Sequence, residues 1–124
     1  MNVVDSSGWL EYFANGPNAG FFATAVEATD KLLVPTVCVA EVFKRVLQQR
    51  GEDPALQAVA LMRQGTIVDL DFSLALSAAK IGNEMKLPLA DSLILATARA
   101  HHATLYTQDA DFEAIEGVRF IRKM

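Results

Sequence analysis

Short apolar runs alternate with longer stretches of helical character along this chain, and that alternation restricts the fold more than any other feature. Asn2 to Val4 is a short apolar run, and Ser6 to Phe13 follows as a helix. Asn15-Gly16-Pro17-Asn18 reads as a turn, with a second helix expected over Phe21 to Ala28. Lys31 to Pro35 is a second strand. Thr36 is expected to cap a helix that runs to about Gln49 and ends at Gly51. Pro54 opens a further helix closed by Gly65. Thr66 to Leu70 is a third strand, followed by helices over Ser73 to Met85 and, after Pro88, Ala90 to His101. Thr104 to Thr107 is a fourth strand and Val118 to Ile121 a fifth. Strands this short, joined by helices, build βαβ units with right-handed crossovers. The expected product is a buried parallel sheet with helices on both faces. No repeat or long linker interrupts the pattern, and a chain of 124 residues is expected to form one domain over 1–124.

Composition narrows the function. The chain has 11 Lys and Arg against 15 Asp and Glu, a net charge of −4. A protein that held nucleic acid by charge alone would be basic. Any nucleic-acid role here therefore needs local basic patches or bound cations. The single cysteine, Cys38, excludes an internal disulfide and a multi-cysteine zinc site, and it suits a reducing compartment. No apolar run reaches the roughly 18 residues of a membrane span. The N-terminus shows no secretion signal, so a cytoplasmic location is expected. A mean hydropathy of +0.22 suggests apolar surface left over for a partner; the adjacent Phe21 and Phe22, which cannot both face inward on one helix, are one candidate source.

The acids need locating. In open parallel sheets, ligands bind at the carboxyl ends of the strands. Asp5 ends the first strand, and Glu41 lies early in the helix after the second. Asp91 falls in the first turn of the helix after Pro88, and Asp109 and Asp111 follow the fourth strand. Singly, each has an ordinary role. Asp5 and Asp91 can cap helices or complement their dipoles, and Asp109 and Asp111 can form an Asx turn. Glu41 can pair with Lys44 or Arg45. Together at one sheet edge they would crowd carboxylates whose mutual repulsion only a cation relieves. Hard divalent ions with oxygen ligands, Mg2+ or Mn2+, are the natural occupants, and such ions promote phosphodiester hydrolysis. Other chemistries fit less well. His101 and His102 are adjacent and diverge by about 100° on a helix, and Cys38 sits among apolar neighbours. No nucleophile elbow, P-loop or dinucleotide fingerprint occurs.

Four segments, in this order and spacing, resemble the PIN-domain ribonucleases of the VapC toxin type. They are Val3-Val4-Asp5-Ser6-Ser7, Pro35-Thr36-Val37 leading to Ala40-Glu41-Val42, Leu87 to Ala98 (LPLADSLILATA), and Thr107-Gln108-Asp109-Ala110-Asp111-Phe112. The resemblance runs nearly the whole length. It implies an α/β/α sandwich around a short parallel sheet and RNA cleavage with Mg2+ or Mn2+. It also implies an acidic cluster mapping onto Asp5, Glu41, Asp91 and Asp109, as both catalytic groups and metal ligands. Thr107 matches a family hydroxyl expected to orient water or phosphate, and Ser6 the hydroxyl after the first acid. Asp111 is left open, because the family varies there. Lys44 and Arg45, on the Glu41 helix, are the candidates for steering the RNA backbone, with solvated side chains as the competing reading. The family further implies a homodimer and a cognate antitoxin whose tail occupies an apolar groove and blocks the acids. Two rivals remain. One is a phospho-acceptor receiver with Asp69 as acceptor, although no late Lys stands where that chemistry needs it. The other is a PIN-like fold kept only for binding.

Overall fold

The computed structural model describes residues 1–124. Five strands form one sheet: β1 (Asn2–Val4), β2 (Leu32–Pro35), β3 (Thr66–Val68), β4 (Thr104–Thr107) and β5 (Val118–Phe120). Six helices connect them: α1 (Ser6–Phe13), α2 (Ala19–Val26), α3 (Thr36–Arg50), α4 (Glu52–Met62), α5 (Phe72–Met85) and α6 (Leu89–Ala100). All strand pairs are parallel, in the order β3-β2-β1-β4-β5, and the whole is a three-layer α/β/α sandwich. The chain therefore builds outward from β1 in one direction, then returns through α5 and α6 to lay β4 on the other side of β1. The point where the order reverses lies between β1 and β4, where doubly wound sheets open a crevice.

The strands are buried because they are apolar and covered on both faces. Val3, Val4, Leu32, Leu33, Val34 and Leu105 lie in the core with Trp9, Phe22, Met62, Ile94, Leu95 and Phe112. At Gly8 helix α1 approaches its neighbours so closely that a Cβ would fall 2.6 Å from Phe22 and 2.7 Å from Val4. Cys38 is buried too, its thiol facing the Val4 carbonyl at 3.7 Å.

Several local expectations change. Helix α2 begins at Ala19 and ends at Val26. Helix α4 begins at Glu52, which places Pro54 in its first turn, where a missing N–H is harmless, and puts Glu52 and Asp53 at the positive end of the dipole. Thr36 is not the cap of α3. Pro35 holds that position, and the Thr36 hydroxyl instead accepts from the Leu70 N–H at 3.3 Å. Phe21 and Phe22 do not supply the spare apolar surface. Phe22 is fully buried, and Phe21 packs edge-on against it at 5.1 Å and tilted against Tyr106 at 5.5 Å. The exposed apolar side chains lie elsewhere, chiefly Phe72 (81% exposed) and Leu76 on α5 and Leu89 at the start of α6. No helix is long and apolar enough to cross a membrane.

Candidate active site

Parallel pairing of β1 with β4 matches Val4 to Tyr106, so the next residues, Asp5 and Thr107, emerge side by side at the carboxyl edge. The Asp5 N–H continues the ladder to the Tyr106 carbonyl at 3.1 Å. Asp5 is only 2% exposed. It caps α1 by accepting from the Gly8 N–H at 2.9 Å, and it also accepts from the Ser7 and Thr107 hydroxyls, at 2.9 and 2.5 Å. The cap of α1 and the buried acid at the carboxyl edge of β1 are thus one carboxylate. Burial pushes its pKa up from 3.8 to about 6, with the Asp109 charge adding to the rise. The hydrogen bonds from Thr107, Gly8 and Ser7 hold the rise back.

Thr107 is fully buried, and its hydroxyl is used twice inside the protein: it donates to Asp5 and accepts from the Asp109 N–H at 2.9 Å. It joins two acids and is not open to solvent. Asp109 then caps a short 3-10 turn, Ala110–Phe112, by accepting from the Asp111 N–H at 2.9 Å. That turn folds Asp111 back beside Asp109. Asp91 arrives from the first turn of α6, half-buried. Carboxylate oxygens of Asp91, Asp109 and Asp111 all lie within 4.8 Å of one another. Glu41 stands on the exposed side of α3 and accepts from the Ser6 hydroxyl at 2.6 Å. Ser6 is therefore committed to Glu41 and does not cap α1.

Asp91 records the crowding. Burial, then the charges of Asp109, Asp5, Asp111 and Glu41 in that order, push its pKa from 3.8 to about 7. Below the cluster, burial drives the Cys38 thiol well above its usual range, and Asp5, Glu41 and Asp91 add to it, so this sulfur is inert. The four acids expected from the sequence do converge, together with Asp111. The tight triad, however, is Asp91, Asp109 and Asp111, with Asp5 beneath it and Glu41 beside it. Asp69 is not part of this triad and follows the edge strand β3. Such a donor set, all carboxylate oxygen, fits a hard divalent cation.

The PIN domain family model matches residues 3–118. The chain belongs to the PIN domain family. Among solved structures, this PIN domain superposes on a chain of a toxin–antitoxin complex from Klebsiella pneumoniae with a TM-score of 0.81 and 24% identity, covering 96% of each chain. It superposes on VapC20 of Mycobacterium tuberculosis, described as a Sarcin-Ricin loop cleaving toxin, with a TM-score of 0.77 and 17% identity over 94% of this chain and 95% of that one. A DNA-bound VapBC structure from Salmonella typhimurium gives 0.76 and 15% identity over 98% and 97%. At these identities the likeness is one of fold. A comparison with curated protein sequences finds no match.

Beside the acids of this PIN domain, a groove of about 550 Å³ runs between α1 and the α3–α4 pair. Leu10, Phe13 and Val46 contribute apolar lining, and Arg45, Arg50 and Lys123 bring positive charge. Ser7 and Gln108 line the groove too and flank the acid cluster in sequence. Arg45 thus borders the groove. Lys44, its exposed neighbour in sequence, does not line it. Sequence reasoning left Asp111 open and missed the buried amides of Asn18 and Gln108. The only signal for Asp111 was the Asp-Ala-Asp spacing.

Proposed function

We propose that this PIN domain protein is a metal-dependent endoribonuclease and the toxin of a toxin–antitoxin pair. The observation that carries the reading is the convergence of Asp5, Glu41, Asp91, Asp109 and Asp111, drawn from remote parts of the chain, at one sheet edge. Asp91, Asp109 and Asp111 would hold Mg2+ or Mn2+, with Asp5 and Glu41 contributing charge or water-mediated contacts. When bound, such an ion lowers the pKa of water and stabilises charge developing on a phosphodiester. The chain's own groups set the geometry. Thr107 holds the Asp5 carboxylate and the Asp109 backbone together. Ser6 fixes Glu41 Oε1 and leaves its other oxygen to accept a proton. Lys44 and Arg45, one turn along from Glu41, steer the RNA backbone toward the acids. Single-stranded or looped RNA is the substrate class, since its backbone is accessible, and the loop-cleaving description of one structural neighbour supports RNA over DNA.

The groove beside the site suits an antitoxin segment. Apolar side chains would meet Leu10, Phe13 and Val46, acidic ones would meet Arg45, Arg50 and Lys123, and a terminal cation would lie over the carboxylates. A second copy of the chain would cover Phe72, Leu76 and Leu89. The decisive experiment is incubation of a mixed RNA pool with Mg2+ or Mn2+, with EDTA, and with the Asp91→Asn variant. Cleavage only in the first arm is expected. Equal loss of RNA in all three would overturn the metal-dependent reading.

A further inference from the structure

A nuclease needs its carboxylates exposed, yet just behind them this chain buries a second polar group that the chemistry above does not use. Asn18 is 2% exposed and Gln108 5% exposed. The Asn18 amide donates both of its hydrogens, to Gln108 Oε1 at 2.9 Å and to the Arg122 carbonyl at 3.0 Å. Its own N–H donates to Glu11 Oε2 at 2.8 Å. Gln108 Nε2 in turn faces Glu11 Oε1 at 3.4 Å and the Ser7 carbonyl at 3.5 Å. The turn at Gly16 wraps the Glu11 carboxylate so closely that a Cβ there would collide with it. Because the Arg122 carbonyl can only accept, the Asn18 amide cannot be flipped. It keeps this orientation although Asn18 Oδ1 is left buried without a partner in the protein. A core built for stability alone would place apolar side chains here.

What the network gains is position. Gln108 lies between Thr107 and Asp109, the two residues that face the acid cluster, and it points the other way. Its only side-chain anchors are on α1 and on the turn that follows it. We propose that Asn18, Gln108 and Glu11 are positioning residues: together they clamp the segment after β4 so that Asp109 and Asp111 face Asp91. This rests on the nuclease reading for its purpose, but the clamp itself is tested without it. Outer groups that orient metal-ligating side chains commonly carry a tenfold or larger share of metal affinity.

Gln108→Met keeps the volume and removes the donors and acceptor, and Gln108→Asn keeps the amide but shortens its reach. Hydrogen exchange is measured on the metal-free protein at residues 109–113, and Mn2+ affinity by calorimetry. Met62→Ala, a fully buried change on α4, serves as a control for general destabilisation. The expected result for both Gln108 variants is exchange about tenfold faster, confined to 109–113, with Mn2+ binding weakened about tenfold. Met62→Ala should lower the melting temperature and raise exchange evenly across the molecule, with Mn2+ binding unchanged. Unchanged local exchange in a folded Gln108 variant, or exchange raised evenly across the molecule as in the control, overturns the clamp. Absence of Mn2+ binding by the unaltered protein would instead overturn the metal-dependent reading, and the exchange pattern would still decide the clamp.

Discussion

Asp5→Asn offers the sharpest test of the electrostatics, because Asp5 is almost wholly buried and its pKa rises from 3.8 to about 6. A carboxyl that holds its proton more tightly in the folded state than in the unfolded chain makes folding more favourable at low pH. The metal-free protein therefore carries a destabilising charge at Asp5 above about pH 6, and that burden fades as the pH falls toward 4. At about 1.4 kcal/mol per pH unit, the rise amounts to about 3 kcal/mol. The asparagine is neutral throughout. Its Oδ1 still caps α1 through the Gly8 N–H, while its amide nitrogen turns toward the Thr107 hydroxyl, which loses its acceptor. That loss, about 1 kcal/mol, is independent of pH. Removing the charge also lowers the Asp91 pKa, since Asp5 is among the groups raising it, and this reinforces the same trend. Urea unfolding in EDTA, from pH 4.5 to 8, measures both proteins. The stability of Asp5→Asn relative to the unaltered chain should improve by about 2 kcal/mol from pH 4.5 to pH 8, because about 1 of the 3 kcal/mol is already present at the acid end. Parallel pH curves would refute the argument that burial and neighbouring acids load this carboxylate.

Thr107→Val keeps the shape but removes the bond that lowers the Asp5 pKa; the pH midpoint of the metal-free protein should move above 6, with about 1–3 kcal/mol lost in urea unfolding. Gly8→Ala forces a methyl group onto Phe22 and Val4 and should lower stability by about 1–3 kcal/mol, read as a drop in melting temperature. Phe72→Asp places a charge on the most exposed apolar side chain and should convert a dimer to a monomer in light scattering while leaving melting of the isolated chain nearly unchanged; a dimer that persists would show that another face pairs. Mn2+ binding to the unaltered protein should weaken as pH falls below 7, since the ion must displace the proton from Asp91.

Much of this was legible before any coordinates. The periodicities place α1 and β4 at their observed bounds, since Asp5, Pro17 and the Thr104–Thr107 run are strong local signals. The rule that ligands gather at the carboxyl ends of parallel strands directs attention to Asp5 and Asp109, and helix-start positions supply Glu41 and Asp91. Other features depend on contacts that no local pattern carries. Asp111 joins the triad only because a 3-10 turn folds it back. The Thr36 hydroxyl goes to Leu70 because β2 and β3 are neighbours. Phe21 is covered by Tyr106, whose strand lies far along the chain, and the Asn18–Gln108 pair spans 90 residues. Each is decided by which strands adjoin, a global property that composition and spacing do not encode.

The order of the sheet also bears on when the acid cluster is assembled. β1 precedes its principal partner at the acid cluster, β4 with the Asp109–Asp111 turn, by about 100 residues along the chain. A nascent chain still being extended by the ribosome holds Asp5, Glu41 and even Asp91 without the loop that completes their company. The five acids therefore meet only once translation has passed Asp111, and no shorter N-terminal fragment can assemble the cluster.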